Sequence, residues 1–491
     1  MPKWTDSRLD LVTIIGDWSS GKGPLYGRLA RAIRSAIESG ELSAGTRLPP
    51  ERPLAEALGV SRTTAVLAYR RLREEGFVES RQGSGSWIPR RAVLSRPAAG
   101  NERSRSFLVD SVTRAAAEED AGTIGFMGAC LTGSSIPLAE EWRAAQADVA
   151  GLSGGTGYSP QGWPPLRRAI AARFEARGVP TAPDQILVTN GAQQAIDLLG
   201  RLLVARNEAA VLEDPTYLGA IDAFTLAGAR LVPVPVGAAG VEIGALRRAL
   251  AQSTPALVYL VPSFHNPTGC VMPEGARREV ARLAESGDLA VVEDESLAEL
   301  TFGAEPPPPI AAHAPRGTVF TVGSMSKLFW GGLRVGWVRG PRPLIARLTR
   351  FKVAADLGGS PLTQALATRL FAHRDEVALV RRRELRRRFE RLTVALRERL
   401  PEWSWVQPQG GLTLWVRLPA PSAEELARVA PRHGVSIVPG PVHSPSHGFA
   451  DRLRLPFVLD EELLDEGVAR LARAWQACRQ AAGERHLGVI V

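Results

Sequence analysis

Lys327 stands in the stretch Gly323-Ser324-Met325-Ser326-Lys327-Leu328-Phe329-Trp330-Gly331-Gly332-Leu333-Arg334, directly after one serine and seven residues before an arginine. A lysine held just beyond a strand, in a partly dry cleft beside other cations, can form a Schiff base with an aldehyde. The small hydroxyls and the guanidinium fork beside it match the oxygens of a phosphate dianion. An aldehyde and a phosphate on one small molecule describe pyridoxal 5′-phosphate (PLP). Taken alone, the stretch also reads as a surface lysine in a glycine-rich loop.

Four more groups could serve the same chemistry, each placed where an apolar run ends. Asn190-Gly191-Ala192-Gln193 is a glycine turn opening a helix, whose backbone N–H groups and dipole favour an anion. Tyr217, in Glu213-Asp214-Pro215-Thr216-Tyr217, could lay a ring over a planar cofactor, or simply pack at a loop edge. Asn266 offers an amide in the rigid loop Ser263-Phe264-His265-Asn266-Pro267. A buried Asp294 could pair with a protonated pyridine nitrogen and keep the ring an electron sink.

The elements that must position these groups alternate between strand and helix. Strands are expected at 186–189, 209–213, 257–261, 289–293 and 318–322, with helical segments between them. Such alternation implies an α/β sheet covered on both faces. Ligands of such sheets sit at the carboxyl ends of the strands, where all five groups fall. Five weak signals in order on one sheet make a strong joint one.

The N-terminal part has a different grammar. Leu25, Leu29, Ile33 and Ile37 recur at fourfold spacing, as on an amphipathic helix. A short helix is expected over 50–58, with Gly59 as a tight turn and Ser61 as the N-cap of a second helix running to Gly76. Residues 77–88 read as two strands around a glycine turn. This is a helix-turn-helix with a wing, in which the start of the second helix enters the major groove of double-stranded DNA. Arg47, Arg52 and Arg62 can fork onto guanine edges or phosphates, while Ser61, Thr63, Thr64 and Gly83 can fix phosphate register. A small helical domain with a solvated basic face has the same pattern.

Residues 24–88, with the string RLPPERPLAEALGVSRTTAVLAYRRLREEGFVESRQGSGSWI, resemble the winged helix-turn-helix of the GntR family of bacterial regulators. That resemblance implies Arg52, Ser61, Arg62, Thr63, Thr64 and Gly83 as DNA-facing positions. Residues from about 123 to 480 resemble the fold-type I, aspartate-aminotransferase-like PLP enzymes. This implies an α/β transferase domain with a smaller C-terminal α+β subdomain. It also implies Lys327 as the amine that bonds the cofactor, Asp294 for the ring nitrogen, Asn266 for the ring hydroxyl and Tyr217 for stacking. Gly191, Ala192, Gln193, Ser324 and Arg334 match the phosphate cup. Tyr158 matches a tyrosine that reaches the phosphate in a partner subunit, and Arg454 an arginine that binds a substrate carboxylate. The resemblance departs at Ser296, where many relatives have a tyrosine aimed at the ring hydroxyl, a loss that implies weaker control of the Schiff-base pKa. Together the two parts resemble the MocR family. That implies a multidomain, homodimeric, PLP-dependent DNA-binding regulator answering to a small amine or amino-acid effector, with a working aminotransferase carrying a DNA-binding domain as the alternative.

The expected boundaries are 23–89 for the DNA-binding domain, 90–122 for a flexible linker rich in Arg, Ser, Ala and Glu, and 123–483 for the large domain. At 491 residues the chain exceeds one ordinary domain, and its formal charge of +9 favours an anionic partner. No apolar run spans a bilayer and no secretory signal is visible, so a cytoplasmic location without membrane contact is expected. The three cysteines, Cys130, Cys270 and Cys478, form neither a disulfide framework nor a metal knuckle, and no metal is expected. The arginine-rich run 380–389 has helical spacing and reads as a solvated face rather than a second DNA contact. His443 and His447 are placed at the substrate entrance.

Overall fold

The computed structural model describes residues 23–38, 45–81, 85–89, 122–131, 138–150, 155–287, 289–420 and 422–487, with Leu11, Ile14, Ile15, Trp18, Leu42 and Ile136 besides. Gly83 and residues 90–121 of the expected linker lie outside the described residues. Two compact units result, Met1–Ser106 and Phe107–Val491.

In the first unit, α1 (Leu25–Glu38) is followed by β1 (Arg47–Leu48), α2 (Glu51–Leu58), α3 (Arg62–Glu74), β2 (Glu79–Arg81) and β3 (Gly85–Trp87). Gly59 closes α2 in the left-handed region at φ 65°, where a side chain would be strained. Ser61 then caps α3 by accepting the Thr64 N–H at 3.1 Å. Leu29, Ile33 and Ile37 of α1 pack on Leu54, Ala65, Ala68 and Leu72, so the fourfold spacing becomes one buried core. Buried Tyr69 adds a polar tie, donating its hydroxyl to the Pro49 carbonyl at 2.8 Å. One strand was not anticipated: β1 pairs antiparallel with β3, making the wing three-stranded in the order β1-β3-β2.

The second unit holds an eight-stranded and a five-stranded sheet. Its strands are β4 (Ile124–Phe126), β5 (Ile186–Thr189), β6 (Ala209–Asp214), β7 (Arg230–Gly237), β8 (Gly240–Val241), β9 (Leu257–Leu260), β10 (Ala290–Asp294), β11 (Thr318–Ser324), β12 (Gly336–Arg339), β13 (Ser404–Trp405), β14 (Thr413–Arg417), β15 (Val435–Pro439) and β16 (Arg452–Pro456). The larger sheet runs β5-β12-β11-β10-β9-β6-β7-β8, with β6, β7, β9, β10 and β11 parallel. Alternate residues of one strand enter opposite cores: Val211, Val258 and Val291 face one, Leu212, Tyr259 and Val292 the other. Burial on both sides is why these strands read as continuous apolar runs. The smaller sheet runs β13-β14-β16-β15-β4 and supplies Arg454.

Three helices bear on the site: α4 (Ala192–Leu203), α5 (Arg342–Asp356) and α6 (Arg374–Arg399). Asp375 and Glu376 in the first turn of α6, with Arg397 and Arg399 in the last, complement its dipole. Among the described residues no helix is long and apolar enough to cross a membrane.

Candidate functional site

At the end of β11, Ser324 and Ser326 bond hydroxyl to hydroxyl at 2.7 Å, and the Ser326 N–H donates to Ser324 Oγ at 3.1 Å. The Phe329 N–H donates to the Met325 carbonyl at 2.9 Å, so a single helical turn projects Lys327. Its Nζ donates to the Ala129 carbonyl at 2.8 Å and lies 3.5 Å from Cys130 Sγ.

Arg334 adopts φ 50°, and this left-handed backbone turns its guanidinium onto the Asn190 carbonyl at 2.7 Å. Gly191, at φ 83°, opens α4 beneath it; a Cβ there would stand 2.9 Å from Arg334 Nη2. The first amides of α4 have no intrahelical acceptor, so Gly191, Ala192 and Gln193 present N–H groups beside a guanidinium. Gly336 makes the close approach between β12 and this turn, since a Cβ on it would fall 2.6 Å from the Gly191 backbone. Gly336→Ala is therefore expected to spread the cup and to weaken PLP binding by about tenfold or more while most of the fold persists. Equilibrium dialysis of PLP beside the wild type checks this; unchanged affinity would remove the cup from the site.

Asp294, at the end of β10, is almost wholly buried. Its Oδ2 accepts the Tyr259 hydroxyl at 2.9 Å and its Oδ1 the Ser296 N–H at 2.9 Å. Burial raises its pKa, while the Ser296 and Tyr259 hydrogen bonds and the Lys327 charge pull it back. The Tyr217 hydroxyl donates to Gln193 Oε1 at 3.0 Å, and Gln193 Nε2 donates to the Gly219 carbonyl at 2.8 Å. Burial drives the Tyr217 pKa up; Asp294 and Cys130 add to this, while Arg454 and Arg334 oppose it. One phenol thus feels groups on β10 and β16 and on the segments that follow β4 and precede β12.

Asn266 Oδ1 is buried without a hydrogen-bond partner among the described residues. Its loop is held by the Gly269 N–H on the His265 carbonyl at 2.6 Å and by Thr413 Oγ1 on the Pro267 carbonyl at 3.2 Å. Arg454 is buried, donates through Nη2 to the Met127 carbonyl, and leaves Nε unpartnered. Burial lowers its guanidinium pKa to about 10. An orphaned buried amide, an orphaned buried guanidinium nitrogen and a donor-lined cup fit a planar, phosphorylated aldehyde and a carboxylate beside it. Tyr158 is not brought in within one subunit: it is 68% exposed. Its loop nonetheless abuts the cup's support, since a Cβ on Gly358 would lie 2.9 Å from the Ser159 carbonyl oxygen.

Three supports escaped the sequence reading. Tyr259 lies in an apolar strand, yet its hydroxyl holds Asp294. Asp356, at the end of α5, accepts Asn190 Nδ2 at 2.9 Å, Gln194 Nε2 at 2.8 Å and buried Lys352 Nζ at 2.7 Å, and so braces the cup from behind. The arginine-rich run corrects an expectation: Arg381 and Arg388 are buried rather than solvated, because backbone carbonyls and Glu384 meet their donors. His443 is a second correction. It lies under the Thr216 carbonyl, wholly buried, while His447 is exposed.

In the first unit, Arg62, Thr63 and Thr64 form the first turn of α3, where Ser61 and Thr64 join hydroxyls at 2.8 Å. Arg62 and Thr63 are exposed. Arg52 is exposed on α2 and pairs with Glu56 at 3.1 Å. Arg47 lies along the wing, its Nε 3.0 Å from where a Gly85 Cβ would be. All three arginines are exposed, and Arg62 stands at the helix start that the sequence assigns to a groove.

Residues 127–471 match the family described as aminotransferase class I and II, and residues 25–88 match the gntR family of bacterial regulatory proteins. The probable rhizopine catabolism regulatory protein MocR of Rhizobium meliloti is 32% identical over 482 residues, 92% of this chain and 94% of that protein. The 2-aminoadipate transaminase of Thermus thermophilus is 36% identical over 363 residues, 72% of this chain and 90% of its own length. The crystal structure of the α-aminoadipate aminotransferase LysN from Thermus thermophilus, complexed with N-(5′-phosphopyridoxyl)-L-leucine, superposes with a TM-score of 0.69 at 33% identity, covering 76% of this chain and 98% of that one. The chain belongs to the aminotransferase class I and II family and, with its gntR-family head, has the architecture of the MocR-type regulators.

Proposed function

We propose that this protein is a transcriptional regulator whose large unit binds PLP at Lys327 and, through it, a small amine or amino acid, and whose head binds operator DNA according to that occupancy. The observation that carries the reading is a donor-lined cup of Arg334 and the first amides of α4 in a unit that also buries an unpartnered Asn266 Oδ1 and Arg454 Nε, in a chain with a gntR-type head. The cofactor, when bound, supplies an electrophilic aldehyde carbon and an electron-withdrawing ring. Arg334, Ser324 and the amides of Gly191, Ala192 and Gln193 would hold its phosphate. Asp294, fixed by Tyr259 and the Ser296 amide, would keep a proton on the ring nitrogen, and the Asn266 amide would meet the ring oxygen. Arg454 would receive the effector carboxylate and so favour amino acids over simple amines. The exposed Tyr158 supports a homodimer in which it reaches a partner's cup, and two heads would then present α3 to two half-sites. Such coupling requires the effector to bind one arrangement of the protein better than the other.

Titrating the PLP-loaded protein with amino acids and amines, while following its visible spectrum and its DNA affinity together, tests this. The regulator reading expects a stable spectral change, a shifted DNA affinity and no released keto acid. Keto acid released with unchanged DNA affinity would favour an aminotransferase, the activity named for the Thermus relative.

A further inference from the structure

We infer that helix α6 is a relay between the effector and the cofactor: Arg381, Glu384 and Arg388 link the backbone behind Lys327 to the strand carrying Arg454. A carboxylate on Arg454 would thereby tighten the hold on PLP. This rests on the reading of Lys327 as the PLP lysine and deepens it into a regulatory coupling.

Burying a guanidinium is unfavourable unless all its donors are met, so the acceptors tell what the residue does. Arg381 is fully buried. Its Nε donates to the Leu328 carbonyl at 3.1 Å, its Nη2 to the Phe329 carbonyl at 2.9 Å, and its Nη1 to Glu384 Oε2 at 2.8 Å. Leu328 and Phe329 directly follow Lys327, so Arg381 pins the end of the turn that projects the amine. Glu384 shares its other oxygen with Arg388 Nη2 at 2.8 Å. The i,i+3 and i,i+4 spacings put all three on one face of α6. Arg388 Nη1 then donates to the Val458 carbonyl at 2.6 Å, and Nη2 reaches Asp460. Val458 lies two residues past β16, four after Arg454. Phe389 packs against the intervening Phe457, ring centroids 5.5 Å apart. The same helix holds the chain beyond Asp294: Arg382 Nε donates to the Glu299 carbonyl at 3.3 Å and Arg386 to that of Phe302.

The three stretches that carry the lysine, the ring-nitrogen partner and the carboxylate receptor therefore all depend on one helix. Arg454 now donates to Met127 and keeps Nε unpartnered. A carboxylate fork takes two donors at once, so its arrival changes what Arg454 and β16 hold. Glu384, which bridges the buried guanidiniums of Arg381 and Arg388, passes that change to the carbonyls behind Lys327. Contiguity alone does not establish coupling; linkage does.

The test measures the PLP affinity of the full chain in propionate, a carboxylate with no amine, against chloride at equal ionic strength. Wild type should bind PLP about fivefold or more tightly in propionate, and Arg454→Met should abolish the difference. Glu384→Gln keeps size and loses the charge; it should reduce the ratio to within about twofold of unity while the apo-protein's propionate affinity stays within about twofold of wild type. Arg388→Lys should do the same, and serves if the glutamine variant does not fold. A ratio that survives in the variants, or is absent from wild type, overturns the relay and leaves the PLP reading intact. A wild type that develops no visible band with PLP overturns the PLP reading and the relay with it.

Discussion

Lys327→Ala is expected to abolish the visible band of bound PLP altogether while leaving the fold intact. The sequence contains four lysines: Lys3, Lys22, Lys327 and Lys352. Lys3 and Lys22 belong to the first unit and lie outside the described residues. Lys352 is buried, with both Asp356 oxygens 2.7 Å from its Nζ, so its amine is committed to the brace behind the cup. Of the two described lysines, Lys327 is the one set beside Asp294 and Cys130, and its acceptors are a backbone carbonyl and a thiol. Because Nζ makes one good hydrogen bond, its removal should change stability by no more than about 1 kcal/mol. Borohydride reduction of the PLP-loaded wild type, followed by peptide mapping, should place the cofactor mass on the peptide containing Lys327. A band retained by Lys327→Ala, or label on Lys352, would move the cofactor elsewhere.

What the sequence disclosed and what it hid have physical reasons. Val211, Val258 and Val291 announce their strands because the sheet is buried on both faces, and their carboxyl ends are where Tyr217, Asn266 and Asp294 stand. Ser61 and Gly59 mark their cap and turn by chemistry that is local. Tyr259 was hidden because it reads as one more apolar strand residue; its hydroxyl matters only once β9 and β10 are in register, Tyr259 opposite Val292 and two positions from Asp294. Arg381 was hidden for a stronger reason. Periodicity places it on a helix face, but whether that face is wet depends on carbonyls 53 and 52 residues away. His443 was misplaced likewise, since the Thr216 backbone that buries it lies 227 residues off. Local rules therefore located the groups that line the candidate site, and long-range contacts decided what holds them in place.

The double variant Arg52→Ala, Arg62→Ala is expected to lower operator affinity by about a hundredfold or more at physiological salt, with the PLP band unchanged. Neither arginine supports the head. Arg52 makes an exposed i,i+4 pair with Glu56, worth about 0.3–0.5 kcal/mol, and Arg62 has no carboxylate partner among the described residues. A cation at the first position of α3 also opposes the helix dipole, so alanine there should not destabilise it. Loss of binding would then report loss of contacts and not of fold, which circular dichroism of the variant checks. The salt dependence discriminates further. Removing two phosphate contacts flattens the plot of log affinity against log salt by about 2 units for one head, and by about 4 if two heads grip a two-fold operator. A slope change near the larger value makes the homodimer part of DNA recognition. Undiminished binding with an unchanged slope would put the reading surface away from the α3 start.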